Sequence, residues 1–168
     1  MPFEITTGRH FEESAHIPAS PKEVYDYVDD HSRFSSHMSE SSWMMGGGKM
    51  NIEVDEGLGQ KVGSHIRLSG KVFGLNLYLD EVVILHDPPR KKVWETVGNP
   101  RLLIIGNNRM GLEISEESKG SRLKVFIDYD LPKGGTRWLG RLFGRMYAKW
   151  CVGQMLRGAE GQFKNLPL

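Results

Sequence analysis

The sequence contains a single cysteine, Cys151, and no long apolar run. One thiol cannot form an internal disulfide or a thiolate metal cage, so nothing in the cysteine usage points to an oxidising compartment. The longest aliphatic run, residues 102–105, is far too short to cross a bilayer, and the N-terminal MPFEITTGRHFEES lacks the apolar region of a signal peptide. A cytoplasmic protein is therefore expected.

Motifs for nucleotides, metals and nucleophilic hydrolysis are also missing. The glycines before Lys49 do not form a phosphate loop, because that motif requires glycine in place of Trp43 and serine or threonine in place of Met50. The six histidines include no close chelating pair, and no GxSxG elbow occurs. We therefore expect no metal, no cofactor and no hydrolase chemistry.

What is present is the composition of an ordinary globular domain. Of the 168 residues, 39% are hydrophobic and 26% charged, which predicts one domain over residues 1–168. The net charge of +1 hides an asymmetry, because residues 132–168 carry seven basic side chains against one acid, Glu160. Such a segment either meets an anionic partner or presents a solvated basic face.

The periodicity of the apolar residues gives the order of the elements. Residues 9–17 alternate as a half-buried strand, and Ser20, Pro21 and Glu23 then mark a helix start. Residues 31–38 indicate a second short helix, and a period of two begins again at Lys49. Further strands are predicted at 63–73, 76–86, 91–98, 102–117 and 121–131, before one long helix from 136 to 164 with either a break or a change of face near Gly153.

Short turns between successive strands predict antiparallel neighbours, since parallel strands need long crossovers. One sheet cannot bury its own face, and the closing helix is the available partner. The predicted fold is α+β: a curved seven-stranded antiparallel sheet wrapped around a long C-terminal helix, with two short helices between strands 1 and 2.

This order and several stretches resemble a known superfamily. The stretches are IPASPKEVYDYVDD, SSWMMGGGKM, VWETVGNPRLLIIGNNRMGLEI, IDYDLP and MYAKWCVGQML. They resemble the helix-grip superfamily, also called SRPBCC or START-like, and within it the bacterial polyketide cyclase and dehydrase-like branch. The resemblance implies an apolar cavity between the sheet and the long helix, and it identifies no set of catalytic residues.

The strand faces identify candidate lining residues for that cavity. One alternative is a hollow pocket that accepts a ligand, and the other is a dry core in which the same side chains simply fill the space against the helix. The candidate ligand-binding residues on the strands are Ile66, Leu68, Tyr78, Glu81, Trp94, Met110, Leu112, Ile127 and Tyr129.

Glu81 is the clearest polar interruption of an apolar row, because Leu79 and Val83 share its side of the strand. A buried carboxyl there could orient a ligand or act as a general base. The alternative is an exposed side chain beside a bulge, or one paired with Arg67 or Arg109. Catalytic candidates are Glu81 and two tyrosines, Tyr78 and Tyr129.

The stretch before the second strand combines Trp43, Met44 and Met45 with three glycines, Gly46, Gly47 and Gly48. The resemblance places it at the rim of the cavity, and the glycines supply the backbone freedom for a sharp turn. It is either an apolar lid that contacts a ligand or a tight turn whose large side chains cap the core.

The long helix carries two further candidates for ligand contact, Met146 and Trp150, on an apolar side that also includes Leu142 and Phe143. A basic stripe lies beside it, which makes the first half a basic amphipathic helix. That half either docks on an anionic membrane or another protein, or is a solvated face. The stripe consists of Arg137, Arg141, Arg145 and Lys149.

Together these features predict a protein that binds a hydrophobic small molecule such as a lipid, an isoprenoid quinone or a polyketide-like aromatic. The first alternative is an enzyme of the cyclase or dehydratase type that uses cavity Glu and Tyr groups without a metal. The second is a membrane- or protein-docking module. Nucleic acid is not an expected partner, since no aromatic stacking pattern accompanies the basic residues.

Overall fold

The computed structural model describes residues 8–34 and 49–164, and its main feature is one seven-stranded antiparallel sheet. The strand order is β1-β7-β6-β5-β4-β3-β2, so that every strand after β1 lies beside the one that follows it in the chain. This confirms the predicted sheet. The strands are β1 Arg9–Ile17, β2 Lys49–Val54, β3 His65–Val72, β4 Leu75–Asp87, β5 Lys91–Arg101, β6 Asn108–Glu117 and β7 Gly120–Tyr129.

Two short helices, α1 (Pro21–Asp29) and α2 (His31–Phe34), connect β1 to the rest of the sheet. The start of α1 is a capping box, because the Glu23 amide donates to the Ser20 hydroxyl and the Ser20 amide donates to the Glu23 carboxylate at 2.9 Å. The rest of the second predicted helix, after Phe34, lies outside the described residues.

A buried ion pair ties the end of α1 to the sheet. Lys92 of β5 has no exposed surface, and its ammonium lies 2.8 Å from the Asp29 carboxylate and donates to the Asp29 carbonyl at 3.1 Å. Asp29 also contacts the His86 ring at 2.9 Å. Burial lowers the pKa of the Lys92 ammonium, and the contact with Asp29 opposes this shift. One carboxylate at the end of α1 therefore serves two partners on the sheet.

Strands β5 and β6 pair over only part of their length. Their pairing ends at Glu95 and Arg109, and beyond this pair the Thr96 hydroxyl donates to the Asn108 carbonyl and accepts from the Asn108 amide. From there β5 continues alone beside β4 as far as Arg101. The prediction of a strand over 102–117 is therefore wrong at its start, because β6 begins only at Asn108.

The long helix α3 spans Arg137–Phe163 without a break at Gly153 and follows a single 3-10 turn, Gly134–Thr136. It packs across β1 and β7 on the concave side of the sheet. Its buried face begins with Gly140 and Gly144. A Cβ on Gly140 would lie 2.5 Å from Pro132 Cδ and 2.7 Å from the Ile104 carbonyl oxygen, both in connections next to the sheet, and a Cβ on Gly144 would lie 3.2 Å from the Tyr129 ring of β7.

The apolar side predicted for the first half of α3 is therefore not its buried side. Leu142 and Met146 are 66% and 44% exposed, and Phe143 is also exposed. In the second half the apolar side is the buried one, since Val152, Met155, Leu156, Ala159 and Phe163 are buried.

Candidate ligand-binding site

A small internal cavity of about 40 Å³, hereafter the inner cavity, lies between the sheet and the middle of α3. Side chains from five strands, two helices and the β5–β6 connection form its wall, and most of them are apolar. The wall consists of His31, Leu68, Leu79, Glu81, Trp94, Leu102, Ile105, Asn108, Met110, Ile127, Tyr147, Cys151 and Met155.

Glu81 is the carboxyl group of this wall. Alternation along β4 turns Leu79, Glu81 and Val83 towards the core, and Glu81 is only 4% exposed. It has no hydrogen bond or ion pair with another residue in the described part of the chain. The alternative of an exposed or paired Glu81 is wrong, because Arg67 lies 3.5 Å from Asp80 and Arg109 lies 2.8 Å from Glu95.

Burial controls the protonation of Glu81. Removal from water, with a smaller contribution from the Asp80 charge, raises the pKa of Glu81 from 4.5 to about 8. At pH 7 the group is therefore a neutral carboxylic acid, which can donate a hydrogen bond as well as accept one. A small rise in pH, or a polar guest beside it, converts it to a base.

Helix α3 contributes three residues spaced one turn apart, Tyr147, Cys151 and Met155. The Tyr147 hydroxyl and the Cys151 thiol share a side-chain hydrogen bond. Burial raises the pKa of Cys151 to about 12 and that of Tyr147 well above 10. Both groups are neutral at physiological pH, so Cys151 does not act as a nucleophilic thiolate.

Two residues of the β5–β6 connection, Leu102 and Ile105, separate the inner cavity from a larger space at the surface. That space, hereafter the outer cleft, has a volume of about 410 Å³. It lies between the end of β5, the β5–β6 connection and the start of α3. Its wall consists of Asn99, Pro100, Arg101, Leu102, Ile105, Gly106, Asn107, Asp130, Leu131, Pro132, Lys133 and Arg137.

The structure brings five of the predicted ligand-binding residues to the inner cavity: Leu68, Glu81, Trp94, Met110 and Ile127. Three others are buried in the core but are not part of the wall, namely Ile66, Leu112 and Tyr129. Tyr129 packs instead against α3, where a Cβ on Gly144 would lie 3.2 Å from its ring. Trp43, Met44 and Met45 lie outside the described residues.

Three predicted site residues lie elsewhere. Tyr78 is 39% exposed and lines an open surface groove with Arg101, because it alternates with Glu81 and so faces away from α3. Met146 is on the exposed side of α3. Trp150 is half-buried beside Tyr147, with ring centroids 5.8 Å apart, and is not part of the cavity wall. The prediction that the inner cavity is lined by Tyr78, Met146 and Trp150 is therefore wrong.

The residues that sequence reasoning missed are chiefly those of α3 and the β5–β6 connection. The i, i+4, i+8 spacing of Tyr147, Cys151 and Met155 was a visible signal for the helix face. His31 gave no such signal; it contacts the Trp94 ring edge to face at 4.8 Å between centroids.

The geometry also bears on metal ligation and on membrane spanning. Among residues 8–34 and 49–164, no three His, Cys, Asp or Glu side chains are placed to hold a metal ion. No helix in those two ranges combines the length and apolar character needed to span a membrane.

A seven-stranded antiparallel sheet that curves around one long C-terminal helix, with a cavity between them, defines a helix-grip protein. Residues 8–164 match the family described as "Polyketide cyclase / dehydrase and lipid transport", and the chain belongs to this family. Comparison with curated protein sequences gives no match.

Solved structures show the same fold at low sequence identity. The Zhui aromatase/cyclase from Streptomyces sp. R1128 has a TM-score of 0.70 and 15% identity, over 94% of this chain and 94% of that one. Norcoclaurine synthase from Thalictrum flavum has a TM-score of 0.66 and 13% identity, over 95% and 88%. A protein from Thermus thermophilus has a TM-score of 0.67 and 15% identity, over 93% and 97%.

Proposed function

We propose that this protein acts in the cytoplasm and binds a hydrophobic small molecule, such as a lipid, an isoprenoid quinone or a polyketide-like aromatic, between the sheet and α3. The observation that carries the proposal is the inner cavity, whose apolar wall surrounds a buried carboxyl group, Glu81, without a described partner. A structural core avoids such a group, because burying it without a partner costs stability. A guest with a carbonyl or hydroxyl group would supply that partner.

The size of the inner cavity sets a condition on binding. A volume of about 40 Å³ holds about three water molecules, whereas pockets for drug-sized ligands measure roughly 300–1,000 Å³. A guest must therefore displace part of the wall. Met110 and Met155 are adaptable side chains, and displacement of Leu102 and Ile105 would join the inner cavity to the outer cleft.

The energetics of this binding follow from the wall. Each square ångström of apolar ligand surface removed from water contributes about 25 cal/mol, which supplies most of the affinity. The neutral Glu81 carboxyl then donates a hydrogen bond to the guest, and this bond fixes its orientation.

Native mass spectrometry of gently purified protein, followed by titration with a naphthoquinone and with 1-dodecanol, tests the proposal. Met110→Trp and Leu102→Trp fill the cavity or its entrance and should each abolish binding. Met146→Trp adds the same ring on the exposed side of α3 and should bind as the wild type does. A folded wild type that binds neither compound, as judged by an unshifted melting temperature, would contradict the proposal.

An enzyme of the cyclase or dehydratase type is the alternative that one observation favours. A carboxyl with a pKa of about 8 in an apolar cavity is suited to general acid-base chemistry near neutral pH. The ring opening of 5-nitrobenzisoxazole needs only a general base, so its rate should rise with pH to a plateau above pH 8. Glu81→Gln should abolish this activity but retain ligand affinity; unchanged turnover removes Glu81 from the mechanism.

Docking on an anionic membrane is a second candidate, favoured by the exposed apolar side of α3. Trp138 and Leu142 are 58% and 66% exposed, and they lie among basic side chains that can attract acidic lipids. These are Arg137, Arg141, Arg145 and Lys149.

Co-sedimentation with phosphatidylserine vesicles tests this candidate. Leu142→Asp should abolish sedimentation, whereas Val62→Asp, an equally exposed site on the β2–β3 connection, should not. If the wild-type protein stays in the supernatant at low salt, docking on an anionic membrane is contradicted.

A further inference from the structure

The charge of the outer cleft differs from that of the inner cavity. Three basic side chains, Arg101, Lys133 and Arg137, line it beside one carboxylate, Asp130. All three are exposed, and none makes an ion pair or side-chain hydrogen bond with another described residue. Several other basic side chains of the sheet are paired: Lys91, Arg109, Arg122 and Lys124 each contact a carboxylate.

The backbone of the cleft is held in place by the crossing of two connections. The Gly106 amide donates to the Asp130 carbonyl at 2.8 Å, and the Asp130 amide donates to the Asn107 carbonyl at 2.9 Å. A Cβ on Gly106 would lie 2.8 Å from the Leu131 carbonyl oxygen, so only glycine allows the two segments to approach so closely. The two connections next to Arg101, Lys133 and Arg137 are therefore tied to each other by backbone hydrogen bonds.

The outer cleft and the inner cavity share a wall of two apolar side chains, Leu102 and Ile105. On one side of this wall is a cleft at the protein surface with excess positive charge, and on the other are apolar side chains with Glu81 and Asn108. A molecule that occupies both spaces must be apolar at one end and acidic at the other. A free anion matches only the charge of the outer cleft. A neutral hydrocarbon matches only the apolar inner cavity and gains no affinity from the basic side chains of the cleft.

We propose that the outer cleft binds the acidic head group, carboxylate or phosphate, of an amphiphile whose apolar part passes Leu102 and Ile105 into the inner cavity. This rests on the proposed function, because it names the ligand class of the same site. Arg101, Lys133 and Arg137 neutralise the head group through charge-assisted hydrogen bonds. The shared wall of Leu102 and Ile105 determines how far the apolar chain of the amphiphile enters the inner cavity.

Calorimetric titration at pH 7.5 with three probes of equal chain length, dodecanoate, dodecyl phosphate and 1-dodecanol, tests the proposal. Both acids should bind at least tenfold more tightly than the alcohol, and the difference should shrink as salt is added. Arg101→Glu and Arg137→Glu should each weaken acid binding about tenfold and leave alcohol binding unchanged. Both sites are exposed, and an acidic residue is favourable in the first turn of α3, so both variants should fold.

Arg141→Glu is the matched control, since Arg141 is an exposed arginine one turn further along α3 and is not part of the cleft wall. It should change acid binding less than twofold. Equal affinity for dodecanoate and 1-dodecanol overturns the head-group assignment but leaves the proposed function intact. Failure of all three probes to bind contradicts the proposed function itself. If inorganic phosphate binds as tightly as dodecyl phosphate, the cleft is a separate anion site and the assignment of an amphiphilic ligand is overturned.

Discussion

Replacement of Glu81 by glutamine gives the sharpest prediction for stability. Glutamine has the shape of the protonated carboxyl but cannot ionise. The folded protein holds Glu81 at a pKa of about 8, against an ordinary value of 4.5. The wild type and Glu81→Gln should therefore differ in the pH dependence of their free energy of unfolding, whatever the offset between them at low pH.

The size of the difference follows from proton linkage. Below pH 4.5 the carboxyl is neutral in both the folded and the unfolded chain. As the pH rises from 4.5 to about 8, the unfolded chain releases the proton and the folded protein keeps it, so this contribution to stability is progressively lost. At 1.36 kcal/mol per pH unit, the loss between pH 5 and pH 8 is about 3.5 kcal/mol.

Urea denaturation of the proteins at half-unit pH steps from 3 to 8 measures this loss. Glu81→Gln should gain about 3.5 kcal/mol relative to the wild type between pH 5 and pH 8. Glu113→Gln is a control of opposite sign, because Lys124 and Lys91 lower the pKa of Glu113. Its removal should cost stability at pH 5 and above and recover as the pH falls below the ordinary pKa of 4.5. Parallel curves for the wild type and Glu81→Gln would refute the buried, unpaired carboxyl.

Three other substitutions give separate tests. Asp29→Asn leaves the buried Lys92 ammonium without its carboxylate, so it should lower the free energy of unfolding by about 3–5 kcal/mol in urea denaturation. Gly140→Ala forces a Cβ against Pro132 and should lower the free energy of unfolding by about 1–3 kcal/mol. Gly161 lies in the same helix, but a Cβ there has no neighbouring atom within 4 Å, so Gly161→Ala should raise the free energy of unfolding by about 0.5–1 kcal/mol. The opposite order of their melting temperatures would contradict the close approach of α3. Tyr78→Phe should leave the affinity for 1-dodecanol unchanged within twofold, and a larger loss would place Tyr78 in the site.

Most of the fold could be predicted because its signals are local. Alternation identifies a strand whose one face is buried, and the capping box at Ser20 and Glu23 marks a helix start without any knowledge of the neighbours. The error at residues 102–107 has a local origin as well. An aliphatic run has strand-like composition, but the bonds between Thr96 and Asn108 end the pairing of β5 with β6, and no pattern in the sequence reports that.

The buried face of α3 could not be read from apolar periodicity. Leu142, Phe143 and Met146 form the more apolar side of its first half, but burial there depends on how closely the sheet approaches. Gly140 and Gly144 allow an approach that leaves no volume for a large side chain. An apolar stripe predicts a buried face only where the partner leaves room for it.

The candidate site shows the same division. Alternation was sufficient to place Glu81, Trp94 and Met110 on the concave side of the sheet. The small volume of the inner cavity and its apolar separation from the outer cleft arise from side chains that are distant in sequence, such as Leu102 and Met155. Volume depends on the whole packing arrangement, and so the choice between a dry core and a pocket stayed open from sequence.

Methyl NMR of the protein labelled at its methionine methyl groups tests the central claim most directly. At saturation with dodecanoate, the terminal methyl of the probe should show nuclear Overhauser effects to Met110 and Met155, which line the inner cavity, and none to the exposed Met146. Contacts to Met146 alone, with Met110 and Met155 unperturbed, would contradict a guest between the sheet and α3.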